Sequence, residues 1–572
     1  MTCVFDNPEE FARTALAGFA SVHSRNVWLV NGGVVRSTAA PQGKVAVVVG
    51  GGSGHYPAFA GFVGPGLADG AVAGDIFASP STHLAVNVCR KAHHGGGVLL
   101  GFGKYAGDVF NFGLAAERLI SEGIDVRLLP VTDDVASAPP EKANERRGVA
   151  GDLTVFKIAG AAAEAGMNLD EVERVAIKAN QNTVSFGVAF SGCTLPGAGE
   201  PLFTVPPRRV GVGLGIHGEP GISEIDLMPA SELAETLVKK LVVEKPAWSD
   251  GRVAVILNGL GNTKYEELFV LWASVETCLK KAGLSPIEPE VGEYVTSLDM
   301  AGCSLTLTWL DDELEKFWRA PSDAPVLRRG QIIPTQSIPA PLDREEAPEF
   351  GPASAVSKEN GKCIAGVLDK IAAALRDAEA ELGRIDARAG DGDHGQGMTR
   401  GSAAAAEAAQ QAVAAGAGAA SVLAAAANAW ADRAGGASGA LWGLALRTLS
   451  TQLSDEAELT ANAVAQGVRA GLNAVVRLGG AKIGDKTLID AFAPFADALN
   501  EGVAKGQPLT EAWANAADAA TRAAEATAQL TPKLGRAKSH TQRSLGHPDA
   551  GAISLALVAR TVAEAIKGQS PG

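Results

Sequence analysis

Between Pro321 and Pro352 the chain carries Pro321, Pro325, Pro334, Pro339, Pro341, Pro348 and Pro352 with little hydrophobic periodicity. Proline lacks the backbone donor that helices and inner strands need, so such a stretch runs extended and semi-rigid. A single core cannot be built across it. The segment predicts one domain over residues 1–333, a linker over 334–355 and a second domain over 356–572.

The two flanks follow different rules. Upstream, the β-branched run Lys44 to Val49 ends in GGGSGH and reads as a buried strand entering a glycine turn. Val98 to Gly101, Val126 to Val131, Val210 to Ile216 and Val253 to Leu257 read as further strands. Helical stretches such as Gly113 to Glu122 and Ser231 to Val243 lie between them. Alternation of this kind predicts an α/β domain with a mostly parallel sheet, whose ligands sit beyond the carboxyl ends of strands. Downstream, alanine dominates Ser402 to Arg433, Ala461 to Val476 and Leu509 to Leu530, with Leu, Val, Trp and Phe recurring at helical spacing. Alanine is the strongest helix former, so the second domain is expected to be all-α. Its functional loops would be Asp386 to Gly397, Gly435 to Gly439, Gly484 to Thr487 and Gly535 to Gly551.

Charge and cysteines narrow the function class. A net charge of −14 over 572 residues shows no basic stripe for nucleic acid. The six cysteines have no paired spacing and read as reduced thiols. With no signal peptide and no apolar run of membrane-spanning length, a cytoplasmic protein is expected.

In ARAGDGDHGQG, with Asp386 before it, Asp386, Asp391 and Asp393 crowd three carboxylates into eight residues. They repel one another unless a cation neutralises them, and oxygen-only ligands suit magnesium or calcium rather than zinc. An Asp/Gly-rich turn that caps a helix is the competing reading. The stretch GGASGALWG, Gly435 to Gly443, adds a small-residue loop opening an apolar segment, the chemistry of a phosphate cradle. A hard-metal site with a phosphate cradle points to nucleotide phosphoryl transfer.

The first domain offers a second set. His55 follows GGGSG, His217 sits in GIHGEPG after another strand, and Asp108 lies in KYAGDVFNFG. Two histidines on sheet-edge loops with a carboxylate make an acid/base and nucleophile set, although Asp108 also fits a helix N-cap.

Together GGGSGH, GDVFNFGLAAE, RRGVAGDL and GIHGEPG resemble the substrate-binding domain of dihydroxyacetone kinases. AGDGDHG, GGASG, GDKT and GRA…RSLGHPDAGA resemble that family's nucleotide-binding domain, in the same order and over nearly the whole chain. The resemblance is to the single-chain, ATP-dependent form. It implies a ketose held on His217 as a covalent hemiaminal, contacts from Gly52, Ser53, Gly54, His55, Lys104 and Asp108, and His55 and Asp108 as acid/base candidates. It also implies two Mg2+ ions on Asp386, Asp391 and Asp393. ATP would lie against His394, Gly395, Gln396, Gly397, Ala437, Ser438, Gly479, Arg536, Asp549, Ala550 and Gly551. A homodimer is the usual assembly.

Two positions depart from the family pattern and are expected in the pocket. Tyr56 stands where the common form GSGHEP has glutamate. Gly103 stands at the lysine of KNYTGD, with Lys104 one place later. GHYPAF with the altered lysine resembles the branch acting on erythrulose, a four-carbon ketose. A dihydroxyacetone kinase that also cleaves FAD to a cyclic flavin phosphate, and a ketose-sensing regulator without turnover, are the competing readings. The intact aspartate set weighs against the sensor.

Overall fold

Valine-rich runs become inner strands here because both of their faces are covered, and the alanine-rich half becomes closely packed helices. The computed structural model describes residues 2–219, 221–331, 336–341, 350–388, 392–534 and 544–567. The chain divides into two units, Met1–Asp343 and Arg344–Gly572.

The first unit holds two large sheets and a two-stranded one that pairs Ser322–Asp323 with Arg328–Arg329. In the first, β1 (Val27–Val30), β2 (Gly33–Arg36), β3 (Ala46–Ser53), β4 (Gly70–Ile76), β5 (Val98–Gly103) and β6 (Val126–Val131) are ordered β1-β2-β4-β3-β5-β6. β3 pairs parallel with β4 and β5, and β5 with β6, whereas β1–β2 and β2–β4 are antiparallel. The second sheet contains β7 (Thr183–Ala189), β8 (Arg209–Val212), β9 (Ser223–Asp226), β10 (Arg252–Gly259), β11 (Ser285–Pro286), β12 (Glu290–Gly292) and β13 (Gly302–Trp309).

The expectation of a mostly parallel sheet holds for the first sheet and not for the second. There β10–β13, β13–β7, β7–β8 and β8–β9 all pair antiparallel. The expected strand Val210 to Ile216 stops at Val212, because Gly213 takes φ +73° and turns the chain. The turn frees Leu214 to Glu219 to form a loop at the sheet edge.

Helices α1 (Phe11–Val22), α2 (Thr82–Ala92), α3 (Ala106–Ser121), α4 (Gly151–Glu164), α5 (Leu169–Gln181), α6 (Ala230–Val242), α7 (Tyr265–Lys281) and α8 (Asp312–Arg319) cover the sheets. α4 is buried from Gly151 through Ala163. One core joins Val47 and Val49 of β3, Leu153 and Phe156 of α4, and Ala254 and Ile256 of β10. That shared core fixes the ends of both sheets relative to each other, and the glycine turns lie there.

The described part of the second unit is helical: α9 (Ala355–Asp377), α10 (Glu379–Asp386), α11 (His394–Ala414), α12 (Ala419–Ala434), α13 (Gly436–Ser450), α14 (Ala461–Gly479), α15 (Ile489–Ala504), α16 (Leu509–Ala526) and α17 (Ala550–Lys567). The stretch Ser402 to Arg433 spans parts of two helices rather than one, broken where Gly416 adopts φ +82°. Small side chains set the spacing. A Cβ on Gly395 would stand 2.1 Å from the Glu379 carbonyl oxygen, so α11 rests directly on α10.

Candidate active site

The carboxyl ends of β3 and β5, the start of α3 and the loop after β8 enclose a small cavity. It is lined by glycines, Phe59, Tyr105, Ile216 and the polar residues His55, Asp108, Asp152 and His217. Gly52 is required by sterics, since a Cβ there would stand 2.8 Å from the backbone nitrogen of Ala78. Gly54, at φ +101°, turns the chain so that His55 points back inward.

His55 is almost fully buried, and its Nδ1 lies 2.8 Å from the Thr296 carbonyl oxygen. Its Nε2 lies 3.0 Å from Nε2 of His217. On the far side, the His217 backbone N–H donates to Glu219 Oε2 at 2.9 Å, and His217 Nδ1 lies 3.2 Å from Glu219 Oε1. Tyr105 and Phe77 stand edge-on to the His217 ring, with centroids at 4.5 and 5.3 Å. Burial, and then the neighbouring His217, push the His55 imidazole down to about 3.

Counting protons along this chain defines its chemistry. Thr296 O and Glu219 Oε1 are both acceptors, so each outer nitrogen, His55 Nδ1 and His217 Nδ1, must carry a proton. Both Nε2 atoms are thereby turned to the cavity, where they face each other at hydrogen-bond distance. One is placed to attack a carbonyl carbon and the other to accept a proton.

Asp108 does not cap α3. The N-cap position is Tyr105, and Asp108 lies in the first turn, buried and facing the cavity. Three expected substrate contacts are placed elsewhere. The Lys104 ammonium donates to the Asn144 carbonyl, Ser53 Oγ donates to the Gly74 carbonyl at 2.6 Å, and neither residue nor Gly54 lines the cavity. Tyr56, expected in the pocket, is 59% exposed and does not line it, whereas Gly103 does. β5 ends at Gly103, and the next side chain leaves on the outer face, which carries Lys104 away.

Asp152, Glu219 and Tyr105 were not singled out by sequence. Asp152 lies inside the motif RRGVAGDL, so an acid following glycine just before an apolar helical run was the available signal. Arg147 in the same motif pairs with Asp134 at 2.7 Å and reaches toward Glu219 at 3.9 Å, holding the acid that faces His217.

In the second unit Asp391 and Arg536 lie outside the described residues. Asp386 is the last residue of α10, where the helix dipole disfavours a negative charge, and its Oδ2 accepts from the Gly392 N–H at 2.9 Å. Asp393 occupies the N-cap position of α11 without a side-chain capping bond, which removes the capping explanation for it. Crowding by the surrounding loop, and then the charge of Asp386, raise the Asp393 carboxyl above the usual carboxylate range, although its side chain keeps access to solvent. A carboxylate at the wrong helix end and a second one destabilised by it form an oxygen-only donor pair that fits a hard divalent cation. Among the described residues no cluster of three metal-ligating side chains is assembled.

Asp549 joins this end of the unit. Burial, and then the charges of Asp386 and Asp490, push it up to about 7, and its Oδ1 accepts from the Ala552 N–H at 2.8 Å. Asp490, not anticipated from sequence, holds the GDKT loop through the N–H groups of Gly484 at 2.5 Å and Thr487 at 2.8 Å. Lys486 of that loop donates to the Ser544 carbonyl at 2.6 Å. His394 Nε2 lies 2.9 Å from Ser554 Oγ, tying α11 to α17.

Gly435 and Gly436, at φ +66° and +59°, turn the chain from α12 into α13. The first N–H groups of α13, at Gly436, Ala437 and Ser438, therefore emerge without a side-chain cap, an arrangement suited to a phosphate. Gln396 is exposed at the start of α11, whereas Gly395 serves helix packing. Gly397 is likewise close-packed, with a Cβ there 3.2 Å from the Ala434 carbonyl oxygen. Gly479 ends α14, and Ala550 and Gly551 open α17.

Against known proteins, the Dak1 domain matches residues 17–326 and the DAK2 domain residues 388–564. The chain belongs to the single-chain dihydroxyacetone kinase family. The D-erythrulose kinase of Mycolicibacterium smegmatis is 54% identical over all of both chains. The L-erythrulose kinase of Pectobacterium atrosepticum is also 54% identical, over 100% of this chain and 97% of its own. The crystal structure of the dihydroxyacetone kinase from C. freundii in complex with AMP-PNP and Mg2+ is 30% identical. It covers 98% of this chain and 99% of that one, with a TM-score of 0.52.

Proposed function

We propose that erythrulose is the ketose that this ATP-dependent kinase phosphorylates, on a terminal hydroxyl. The observation that carries the ketose chemistry is the pair of histidine Nε2 atoms facing each other at 3.0 Å in a glycine-walled cavity. The erythrulose assignment is supported by two relatives, each 54% identical and both named for that sugar. They act on opposite hands, so similarity alone selects neither.

His217 Nε2 attacks the ketone carbon and a C–N bond forms. The ring nitrogen becomes cationic, its Nδ1 proton passes to the Glu219 carboxylate, and the alkoxide takes a proton from water, whose hydroxide recovers the one on Glu219, giving a neutral hemiaminal. A polyol has no carbonyl to attack, so the step selects ketoses and immobilises a ligand with few atoms to hold. Asp108 or His55 then takes the proton of the terminal hydroxyl as that oxygen attacks the γ-phosphorus of ATP.

Mg2+ on Asp386, Asp391 and Asp393 would neutralise charge on the phosphates. Support for this comes from the strained Asp386–Asp393 pair and from the relative crystallised with AMP-PNP and Mg2+. The N-terminal groups of α13 and the Asp549 to Gly551 turn are proposed for ATP. Residues 1–333 are proposed as the ketose-binding part and 356–572 as the ATP-binding part. A cytoplasmic homodimer completes the proposal. The cysteines are free, and among the described residues no helix is long and apolar enough to cross a membrane.

The test is ADP release with ATP, Mg2+ and a panel of dihydroxyacetone, D-erythrulose and L-erythrulose. One erythrulose hand should exceed dihydroxyacetone in kcat/KM. A higher value for dihydroxyacetone refutes the erythrulose assignment and leaves the kinase assignment standing.

A further inference from the structure

Asp152 lines the cavity from the first turn of α4, 1% exposed, and among the described residues its Oδ1 has no hydrogen-bond partner. A buried carboxyl oxygen left unpaired costs free energy, so its presence calls for an occupant that bonds to it. Two glycines bracket it. A Cβ on Gly148 would stand 3.0 Å from Asp152 Oδ1, and one on Gly103 would stand 3.5 Å from Asp152 Oδ2. The Tyr105 hydroxyl, another polar group of this wall, is already committed to the Gly148 carbonyl at 2.9 Å. The wall therefore consists of bare backbone around one carboxyl group that faces the space a ligand would occupy.

Its surroundings also set its form. Burial, and then the charges of Asp133 and Asp108, hold the Asp152 carboxyl well above the usual carboxylate range. A neutral carboxylic acid both donates and accepts, which matches an alcohol hydroxyl.

We propose that Asp152 is a specificity residue, which hydrogen-bonds the hydroxyl group that a four-carbon ketose has and a three-carbon ketose lacks, in space left open by Gly103. The inference rests on the erythrulose reading and names the group that recognises the additional carbinol. Dihydroxyacetone would leave Asp152 unpaired beside a void, and a site with an unpaired buried polar group discriminates against the smaller ligand.

The experiment measures kcat/KM for erythrulose and dihydroxyacetone in the wild type, Asp152→Leu and Asp152→Asn. The Leu variant should lower the erythrulose to dihydroxyacetone ratio by about tenfold or more, the loss expected for one hydrogen bond in a closed site. The Asn variant keeps a donor and an acceptor and should hold the ratio within about threefold. A role confined to the α4 dipole would change both substrates alike and leave the ratio where it was. A ratio unchanged in the Leu variant, or lost equally in both variants, overturns the proposal. Should the Leu variant not fold, Gly103→Ala answers the same question. Its methyl would enter the space beside Asp152 and should lower the ratio severalfold, and an unchanged ratio there also overturns the proposal. The wild-type ratio separately judges the erythrulose reading, so the two failures are told apart.

Discussion

The Nε2 atoms of His55 and His217 face each other at 3.0 Å, from loops that end strands of two different sheets. Neither sheet alone makes the site. The core shared by β3, α4 and β10 holds the two loops in register, and the outer acceptors Thr296 O and Glu219 Oε1 fix the Nδ1 side of each ring so that both Nε2 atoms face inward.

Acid stability should report the His55 environment. Its folded value is about 3, against an ordinary 6.5. Between those values the folded state binds fewer protons than the unfolded state, so this contribution is complete above about pH 6.5 and is lost as pH falls. From about pH 7.5 to about pH 5.5 the wild type should lose about 1 kcal/mol more than His55→Asn. Calorimetric melting of both proteins across that range checks it. Other buried groups are common to the two and cancel. Parallel curves would mean that His55 is not held neutral by burial.

A fragment comprising residues 1–333 should fold and bind ketose without phosphoryl transfer. The ground is the division into separate units near this point, each with its own core. Native mass spectrometry for the adduct and ADP release for turnover are the measurements. Kinase activity in the fragment would break the assignment of ATP to the second half.

Much of this site was legible because β-branched strands ending in glycine turns mark a sheet edge. His55, His217 and Asp108 sit on such edges or just after one, and the cavity gathers them. Lys104 and Tyr56 show the limit of that reading. Each adjoins a cavity residue in sequence, yet Lys104 turns to the Asn144 carbonyl and Tyr56 to solvent, which adjacency in sequence does not reveal. Asp152 and Asp490 lie in the first turns of helices, where an acid looks like an ordinary complement to the helix dipole until burial is known. The mostly antiparallel pairing of the second sheet was hidden for another reason: strands covered on both faces read as apolar runs whichever way their neighbours run.

Asp386→Asn should separate stability from activity. Removing a charge from the carboxyl end of α10 and from beside Asp393 should stabilise the metal-free protein by roughly 0.3–1 kcal/mol. The same change should reduce kcat by at least about 10²-fold with ATP and Mg2+, because a ligand to the phosphate-bound cation is lost. Melting in EDTA and steady-state turnover are the two readouts. A variant that is less stable in EDTA and fully active would contradict the metal assignment.

His217→Ala tests the covalent step directly. Native mass spectrometry of the wild type with ketose should show a mass gain equal to the whole sugar. A hemiaminal forms by addition, whereas a lysine Schiff base would lose water. The alanine variant should show no adduct. Turnover should fall by about 10²-fold or more without vanishing, since Asp108, His55 and the glycine backbone still position a ligand. Discrimination should fall as well: without a nucleophile to interrogate the carbonyl, glycerol should gain on ketoses in relative kcat/KM. Glu219→Gln supplies an intermediate case. It keeps an acceptor near His217 Nδ1 but removes the carboxylate that receives the proton, so adduct formation should slow while ketose affinity at equilibrium changes less. An adduct that persists in His217→Ala would place the covalent bond on another residue.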